Sequence, residues 1–152
     1  MITTLTASEI ENLSLLVEQE IHVDAPLDVT FEALLEQLGP GSEKPDGAPM
    51  PLTLEPWPGG RWFRDLGNEN GHFWGNVQAI KRPMLLEFSG PLFMSHPVTN
   101  NVQYRLSAEG NGTLIRFRHS GFGLVQEEQK RGIQDGWRYI HDKVRERAEK
   151  SR

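Results

Sequence analysis

The chain has 152 residues, a net charge of −5 and no cysteine. This length fits one domain over residues 1–152, which would bury roughly two-thirds of the surface that the unfolded chain exposes. The acidic balance argues against nucleic acid as a partner, because phosphates require a basic face. The absence of cysteine excludes disulfides, thiolate metal sites and cysteine nucleophiles.

Neither a signal peptide nor a membrane span is predicted. The first 20 residues carry Glu9, Glu11, Glu18 and Glu20, where a signal peptide would have a basic segment followed by an apolar one. No stretch approaches the roughly 20 apolar residues that a spanning helix needs. We therefore predict a cytoplasmic protein.

The N-terminal part of the chain predicts a strand followed by a short helix. Residues 1–13 are polar and are expected to be flexible or to form a short helix. Apolar and polar residues alternate from Leu15 to Val23, which is typical of a half-buried strand. Helical spacing of apolar residues from Leu27 to Leu38 follows Asp24-Ala25-Pro26, and Gly39-Pro40 ends this helix.

The middle of the chain predicts a long loop and then four short strands. Residues 39–51 are rich in proline and glycine and form no regular element. Beyond this loop, Pro58-Gly59-Gly60 separates the segments LTLEPW and RWFRDL. A strand from His72 to Lys81 follows, and Arg82-Pro83 separates it from MLLEFSG.

A long hairpin is predicted from residues 100–108 and 113–120. The Asn111-Gly112 dipeptide indicates the turn, because both residue types tolerate positive φ. Alternation places one set of side chains on an inner, largely apolar face, while Arg116 and Arg118 point outward. The inner set is Val102, Tyr104, Leu106, Ile115, Phe117 and His119.

A helix is predicted over residues 125–150 with one apolar stripe, formed by Ile133, Trp137, Ile140 and Val144. Because one such helix covers only one face of about seven strands, the sheet must curl around it in an α+β arrangement. Gly132 and Gly136 are expected to lie on the same stripe, and each costs about 1 kcal/mol relative to alanine in a helix interior. Two explanations are open: close approach of the helix to the sheet, or an internal void.

Several segments resemble one known family. The stretch EQEIHVDAPLDVTFEALL resembles the opening strand and helix of START-like proteins, also called the SRPBCC superfamily. PGGRWFRD and GHFWGNVQAIKRPMLLEF resemble the middle strands of the branch named for the activator of the heat shock protein 90 ATPase. GTLIRFRHSGF resembles its last strand, and the Gly-Trp pair at 136–137 resembles its long helix. Loop 39–51 stands where relatives often carry a second short helix.

This resemblance implies the helix-grip fold, the fold of the major birch-pollen allergen, in which a curved antiparallel sheet wraps around a long C-terminal helix. An apolar cavity between them is the candidate binding site, since ligand pockets are mostly apolar with a few polar groups. Trp57, Phe63 and Phe73 belong to the same aromatic cluster, for which plain core packing is the alternative. The predicted lining is Trp62, Trp74, Phe88, Phe93, Val102, Tyr104, Phe117, His119, Ile133, Gly136, Trp137 and Ile140.

His119 and Tyr104 are the polar groups predicted to point inward. In one interpretation they are acid–base candidates, since the pKa of histidine lies near neutrality. In the other, His119 is a core histidine that hydrogen-bonds to a neighbouring strand or to the long helix. The sequence has no histidine or carboxylate cluster at metal-ligand spacing and no Gly-x-Ser-x-Gly nucleophile motif. We therefore predict no metal and no cofactor.

Three functions are compatible with this sequence. The first is non-catalytic binding of a small hydrophobic molecule, such as a lipid, polyketide or aromatic metabolite, by a monomer or homodimer. The second is a polyketide cyclase- or dehydratase-like enzyme that uses His119 and Tyr104. The third is a protein-interaction module related to chaperone ATPase activators, which would present an exposed apolar patch.

Overall fold

The computed structural model describes residues 4–93 and 95–151, which form seven strands and three helices. The strands are β1 (Ser14–Val23), β2 (Thr53–Leu54), β3 (Arg61–Gly67), β4 (Asn70–Lys81), β5 (Leu85–Gly90), β6 (Val98–Glu109) and β7 (Gly112–Gly123). The helices are α1 (Ala7–Asn12), α2 (Leu27–Leu38) and α3 (Glu127–Ser151). The polar N-terminal segment thus contains a short helix, with Thr6 as its cap, and residues 1–3 of the predicted 1–13 segment lie outside the described residues.

The strands form one antiparallel sheet in the order β1-β7-β6-β5-β4-β3-β2. The sheet is curved, and the long helix α3 packs against its inner face and against α2. These elements confirm the predicted α+β helix-grip fold. None of the helices in residues 4–93 and 95–151 is long and apolar enough to cross a membrane.

The inner face of the sheet holds the core, as the alternation predicted. On β6 and β7, Val102, Tyr104 and Ile115 are fully buried, whereas Arg116 and Arg118 are exposed. Not every aromatic residue of the predicted cluster belongs to this core. Trp57 and Phe73 are 55% and 48% exposed, so neither belongs to the buried core.

The β6–β7 turn differs in detail from its prediction. Glu109 pairs with Gly112, which leaves Gly110 and Asn111 as the turn residues. Gly110, with φ of +60°, takes the left-handed conformation that a two-residue turn with glycine at its first position requires. The turn therefore lies one residue earlier than the Asn-Gly dipeptide indicated. A Cβ at Gly112 would approach the Val23 carbonyl oxygen to 2.6 Å, so close packing against β1 explains that glycine.

The buried stripe of α3 runs along a slightly different line from the predicted one. Ile133, Trp137 and Val144 are buried as expected, but the next buried position after Trp137 is His141 rather than Ile140. Ile140 is only partly buried beside this stripe. The helix thus presents an imidazole to the middle of the core, and a polar group at that position requires hydrogen-bond partners.

Candidate functional site

An apolar pocket of about 270 Å³ lies between α3, the end of α2 and the inner face of β3 and β4. Loop 39–52 closes one side of it. We call this cavity the apolar pocket, and its walls are mainly aromatic and aliphatic. It is lined by Gln37, Leu38, Ser42, Glu43, Pro45, Met50, Leu52, Trp62, Trp74, Phe93, Gly136, Trp137, Tyr139 and Ile140.

The sheet side of the pocket is held in place by packing and by one hydrogen bond. The Trp62 indole nitrogen Nε1 donates to the Leu38 carbonyl oxygen at 2.7 Å, which ties β3 to the end of α2. The Trp62 ring stacks on Phe88 with a centroid distance of 4.5 Å and meets Trp74 edge-on at 5.1 Å. Because the buried indole N–H has its partner, Trp62 presents carbon atoms to the cavity.

Gly136 explains part of the space on the helix side. A Cβ built at Gly136 or at Gly132 would have no described heavy atom within 4 Å outside its immediate helical surroundings. Close approach of helix to sheet is therefore wrong as the explanation for either glycine. Both glycines are exposed, so their assignment to the buried stripe was wrong. Gly136 lines the apolar pocket, and Gly132 does not. The missing side chain at 136 leaves open space at the edge of the cavity.

Polar groups gather on the loop side of the pocket. The Gln37 side-chain oxygen Oε1 accepts hydrogen bonds from Arg147 at 3.1 and 3.2 Å, and its Nε2 donates to Glu43 at 3.5 Å. Ser42 and Tyr139 complete this polar edge. A ligand in the pocket would thus contact carbon atoms on the sheet side. It would find hydrogen-bonding groups at the opposite edge, where loop 39–52 meets α2 and α3.

His119 lies outside the pocket and is fully buried behind Trp137. The Trp137 Nε1–H donates to His119 Nδ1 at 3.0 Å, and His119 Nε2 lies 2.7 Å from Asn100 Oδ1. Because an indole N–H only donates, Nδ1 must accept, and the ring is neutral with its proton on Nε2. Desolvation lowers the pKa of His119 to about 4. The ring bonds to both the neighbouring strand and the long helix, the arrangement of a core histidine.

Tyr104 and His141 form a second buried network that the sequence did not reveal. Gln19 Nε2 donates to the Gln134 carbonyl oxygen at 2.9 Å, so its Oε1 is the acceptor that faces His141 Nδ1 at 2.7 Å. The Tyr104 hydroxyl then donates to His141 Nε2 at 3.0 Å. Burial, with a smaller contribution from Arg138, lowers the pKa of His141 to about 3. Burial also raises the pKa of Tyr104 well above its ordinary value.

The structure divides the twelve predicted lining residues into two groups. Six of them line the apolar pocket: Trp62, Trp74, Phe93, Gly136, Trp137 and Ile140. The other six lie outside its lining: Phe88, Val102, Tyr104, Phe117, His119 and Ile133. The sequence reasoning missed the contribution of loop 39–52, whose Met50 and Leu52 face the pocket. An irregular loop has no periodicity from which an inward side could be read.

We expect His119→Gln to lower stability without changing ligand binding in the pocket. The substitution leaves the buried Trp137 N–H without its nitrogen acceptor, at a cost of about 1–3 kcal/mol in the free energy of unfolding. Urea titration at neutral pH measures this change. The control is His22→Gln on the solvent side of β1, where an exposed hydrogen bond with Glu109 at 2.7 Å contributes little because both side chains are open to water. Equal stability of the two variants would contradict the assigned hydrogen bond.

Comparison with known proteins agrees with this architecture. The model of the family described as activator of Hsp90 ATPase homolog 1-like protein matches residues 44–149. No curated protein sequence matches the chain. Among solved structures, a Mesorhizobium loti protein is similar over 90% of this chain and 98% of its own, with 19% identity and a TM-score of 0.69.

Two further solved structures share the fold at lower identity. The Aha1 dimer from Colwellia psychrerythraea is 14% identical, with a TM-score of 0.63 over 89% of this chain and 96% of the other. The di-domain ARO/CYC StfQ from the steffimycin biosynthetic pathway is 11% identical, with a TM-score of 0.65 over 95% of this chain and 53% of the other. The family match covers most of the chain, including β2 to β7 and nearly all of α3: this protein belongs to the activator of Hsp90 ATPase homolog 1-like family, within the START-like superfamily.

Proposed function

We propose that this protein binds a small hydrophobic ligand in the apolar pocket and does not transform it. The observation that supports this proposal is a cavity with Trp62, Trp74 and Trp137 in its walls and polar groups along one edge, the usual composition of a ligand site. Its volume of about 270 Å³ lies just below the usual range of ligand pockets, about 300–1,000 Å³. This size favours a compact aromatic or short aliphatic molecule.

The positions of the candidate acid–base residues argue against catalysis. A general base must come within hydrogen-bonding reach of the proton that it removes. His119 and Tyr104 do not line the pocket, and each is bonded to another buried side chain. The cyclase-like alternative is based on the fold shared with StfQ, and a shared fold by itself does not imply a shared reaction. It would need another residue, such as Glu43 or Tyr139, to act in the pocket.

The interaction-module alternative draws on exposed apolar side chains beside α1. Leu5 and Leu124 are 49% and 63% exposed, and both line a shallow groove between α1 and the start of α3. A groove of this kind suits a protein partner better than a small molecule. We nevertheless place the primary function in the apolar pocket, in a cytoplasmic protein that is a monomer or a homodimer.

Native mass spectrometry of freshly purified protein is the test of the proposal. We expect a fraction of the protein to carry a bound small molecule, which denaturation releases for identification. Titration with 2-naphthylmethanol, followed by tryptophan fluorescence, should show saturable binding because three indole rings face the cavity. The native mass spectra also show whether the protein is a monomer or a homodimer. Absence of both a co-purified molecule and saturable binding would contradict the proposal.

A further inference from the structure

A second cavity adjoins the apolar pocket at the tip of the β3–β4 hairpin. It has a volume of about 460 Å³ and shares two wall residues, Trp74 and Phe93, with the apolar pocket. We call it the tip cleft. Its lining consists of Arg64, Gly71, His72, Phe73, Trp74, Pro91, Leu92, Phe93 and Ser95.

The tip cleft contains several hydrogen-bond donors, and the residues described in its lining include no carboxylate. Arg64 on β3 and His72 on β4 are directly paired across the two strands, which brings the guanidinium and the imidazole together. Ser95 adds a hydroxyl from the segment after β5. No aspartate or glutamate is among the described residues of the lining, although the whole chain carries a net charge of −5. The cleft is therefore a locally cationic site on an acidic protein.

Arg64 is half-buried as a residue, and its guanidinium has neither an ion pair nor a hydrogen bond with residues 4–93 and 95–151. Other half-buried arginines have hydrogen-bond partners: Arg147, for example, donates to Gln37. Arginines without such partners in the described chain, Arg118, Arg131 and Arg138, are exposed and solvated. A guanidinium presents five N–H donors and no acceptor, and at Arg64 no described side chain or carbonyl group takes them. A bound anion would supply the missing acceptor, and arginine binds carboxylate and phosphate through two parallel hydrogen bonds.

We infer that the ligand of this protein is an amphiphile whose anionic oxygen group, a carboxylate or a phosphate ester, binds Arg64, His72 and Ser95. Its apolar body occupies the apolar pocket, so this inference rests on the proposed function. Trp74 and Phe93 form the boundary that such a ligand crosses. Their rings meet edge-on with a centroid distance of 5.8 Å. Phe93 is 39% exposed, which leaves its ring room to turn aside.

Three naphthalene probes of similar size test this inference: 2-naphthylmethanol, which is neutral, naphthalene-2-carboxylate and 2-naphthyl phosphate. Isothermal titration at neutral pH gives the dissociation constant of each. We expect at least one anion to bind about tenfold more tightly than the alcohol, the effect of one charge-assisted hydrogen bond. Added salt should reduce this preference, because the cleft is open to solvent. The tighter of the two anions identifies the class of head group.

Arg64→Gln is the decisive variant, and Arg118→Gln on the outer face of β7 is the control of equal charge. We expect Arg64→Gln to remove the anion preference and to leave the affinity for the alcohol within about twofold, while Arg118→Gln changes neither. Equal binding of anions and alcohol by the unmodified protein would overturn the inference alone. Equal weakening of all probes in Arg64→Gln would also overturn it. Failure of every probe to bind would overturn the inference, and it would overturn the proposed function as well if no small molecule co-purifies with the protein.

Discussion

Acidification from pH 7 to pH 4 is expected to destabilise this protein by several kcal/mol through two buried histidines. His119 and His141 are neutral in the fold, and their pKa values are lowered to about 4 and about 3. In the unfolded chain both would titrate near the ordinary histidine pKa of about 6.5. The unfolded state therefore binds more protons below this pH, and stability falls as the pH falls.

The sign of the effect follows from the hydrogen bonds. The stabilising contribution is complete above about pH 6.5 and is lost progressively toward the folded-state pKa values. Protonation of His119 would remove the acceptor of the Trp137 N–H, and protonation of His141 would remove the acceptor of the Tyr104 hydroxyl. Each histidine contributes on the order of 3 kcal/mol by pH 4, a large part of the typical total stability of about 5–15 kcal/mol.

Urea titrations between pH 7 and pH 4 test this prediction through the slope of the unfolding free energy against pH. Near pH 5 the two histidines should together account for an uptake of about two protons on unfolding. His141→Gln should reduce the uptake by about one proton, whatever its effect on stability at pH 7. If His141→Gln had the same slope as the unmodified protein, the His141 ring would bind protons equally in the folded and unfolded states, which would contradict the prediction.

Gly136→Leu is expected to abolish ligand binding while it stabilises the protein. A Cβ at this position has no described atom within 4 Å beyond the neighbouring helical turns, so the first carbon of a new side chain meets no clash. Replacement of a helical glycine by a strong helix former stabilises by up to about 1 kcal/mol. The leucine side chain reaches the apolar pocket that Gly136 borders, and it would occupy volume that the ligand needs.

Gly132→Leu is the matched control, since it lies one turn earlier on α3 and also faces open space. Both variants should unfold at a higher urea concentration than the unmodified protein. Affinity for 2-naphthylmethanol should fall at least about tenfold in Gly136→Leu, a change of about 1.4 kcal/mol, and should stay unchanged in Gly132→Leu. Parallel behaviour of the two variants in binding would place the ligand site elsewhere on the molecule.

Much of the fold could be predicted because its signals are local. The alternation from Leu15 to Val23 and the stripe containing Ile133, Trp137 and Val144 specify which side of each element is buried, and the structure confirms both. One helix with one apolar stripe requires a sheet that curves around it. These patterns depend on the fixed periods of strand and helix, which a reader can count along the chain.

Only six of the twelve predicted lining residues line the apolar pocket. The other six lie outside its lining, because a buried side chain need not border a cavity. Sequence alternation placed Phe117 and His119 on the inner face correctly. It could not reveal that Trp137 stands between His119 and the open space, since that depends on which rings fill which part of the interior. His141 was missed for a related reason. Its partners Gln19 and Tyr104 lie 122 and 37 residues away along the chain.

The amino-acid sequence by itself determined the α+β architecture, the family and the inward-facing residues of β1, β6 and β7, because these follow from periodicity, turn residues and the order of elements. Only the tertiary structure decided where the interior stays open and which polar groups reach that space. Loop 39–52 lies beside α3, and the β3–β4 tip lies beside the segment after β5. Both arrangements depend on packing between residues that are far apart in the sequence. The shape of a cavity depends on the space that remains after all side chains have packed, and no local sequence pattern specifies that space.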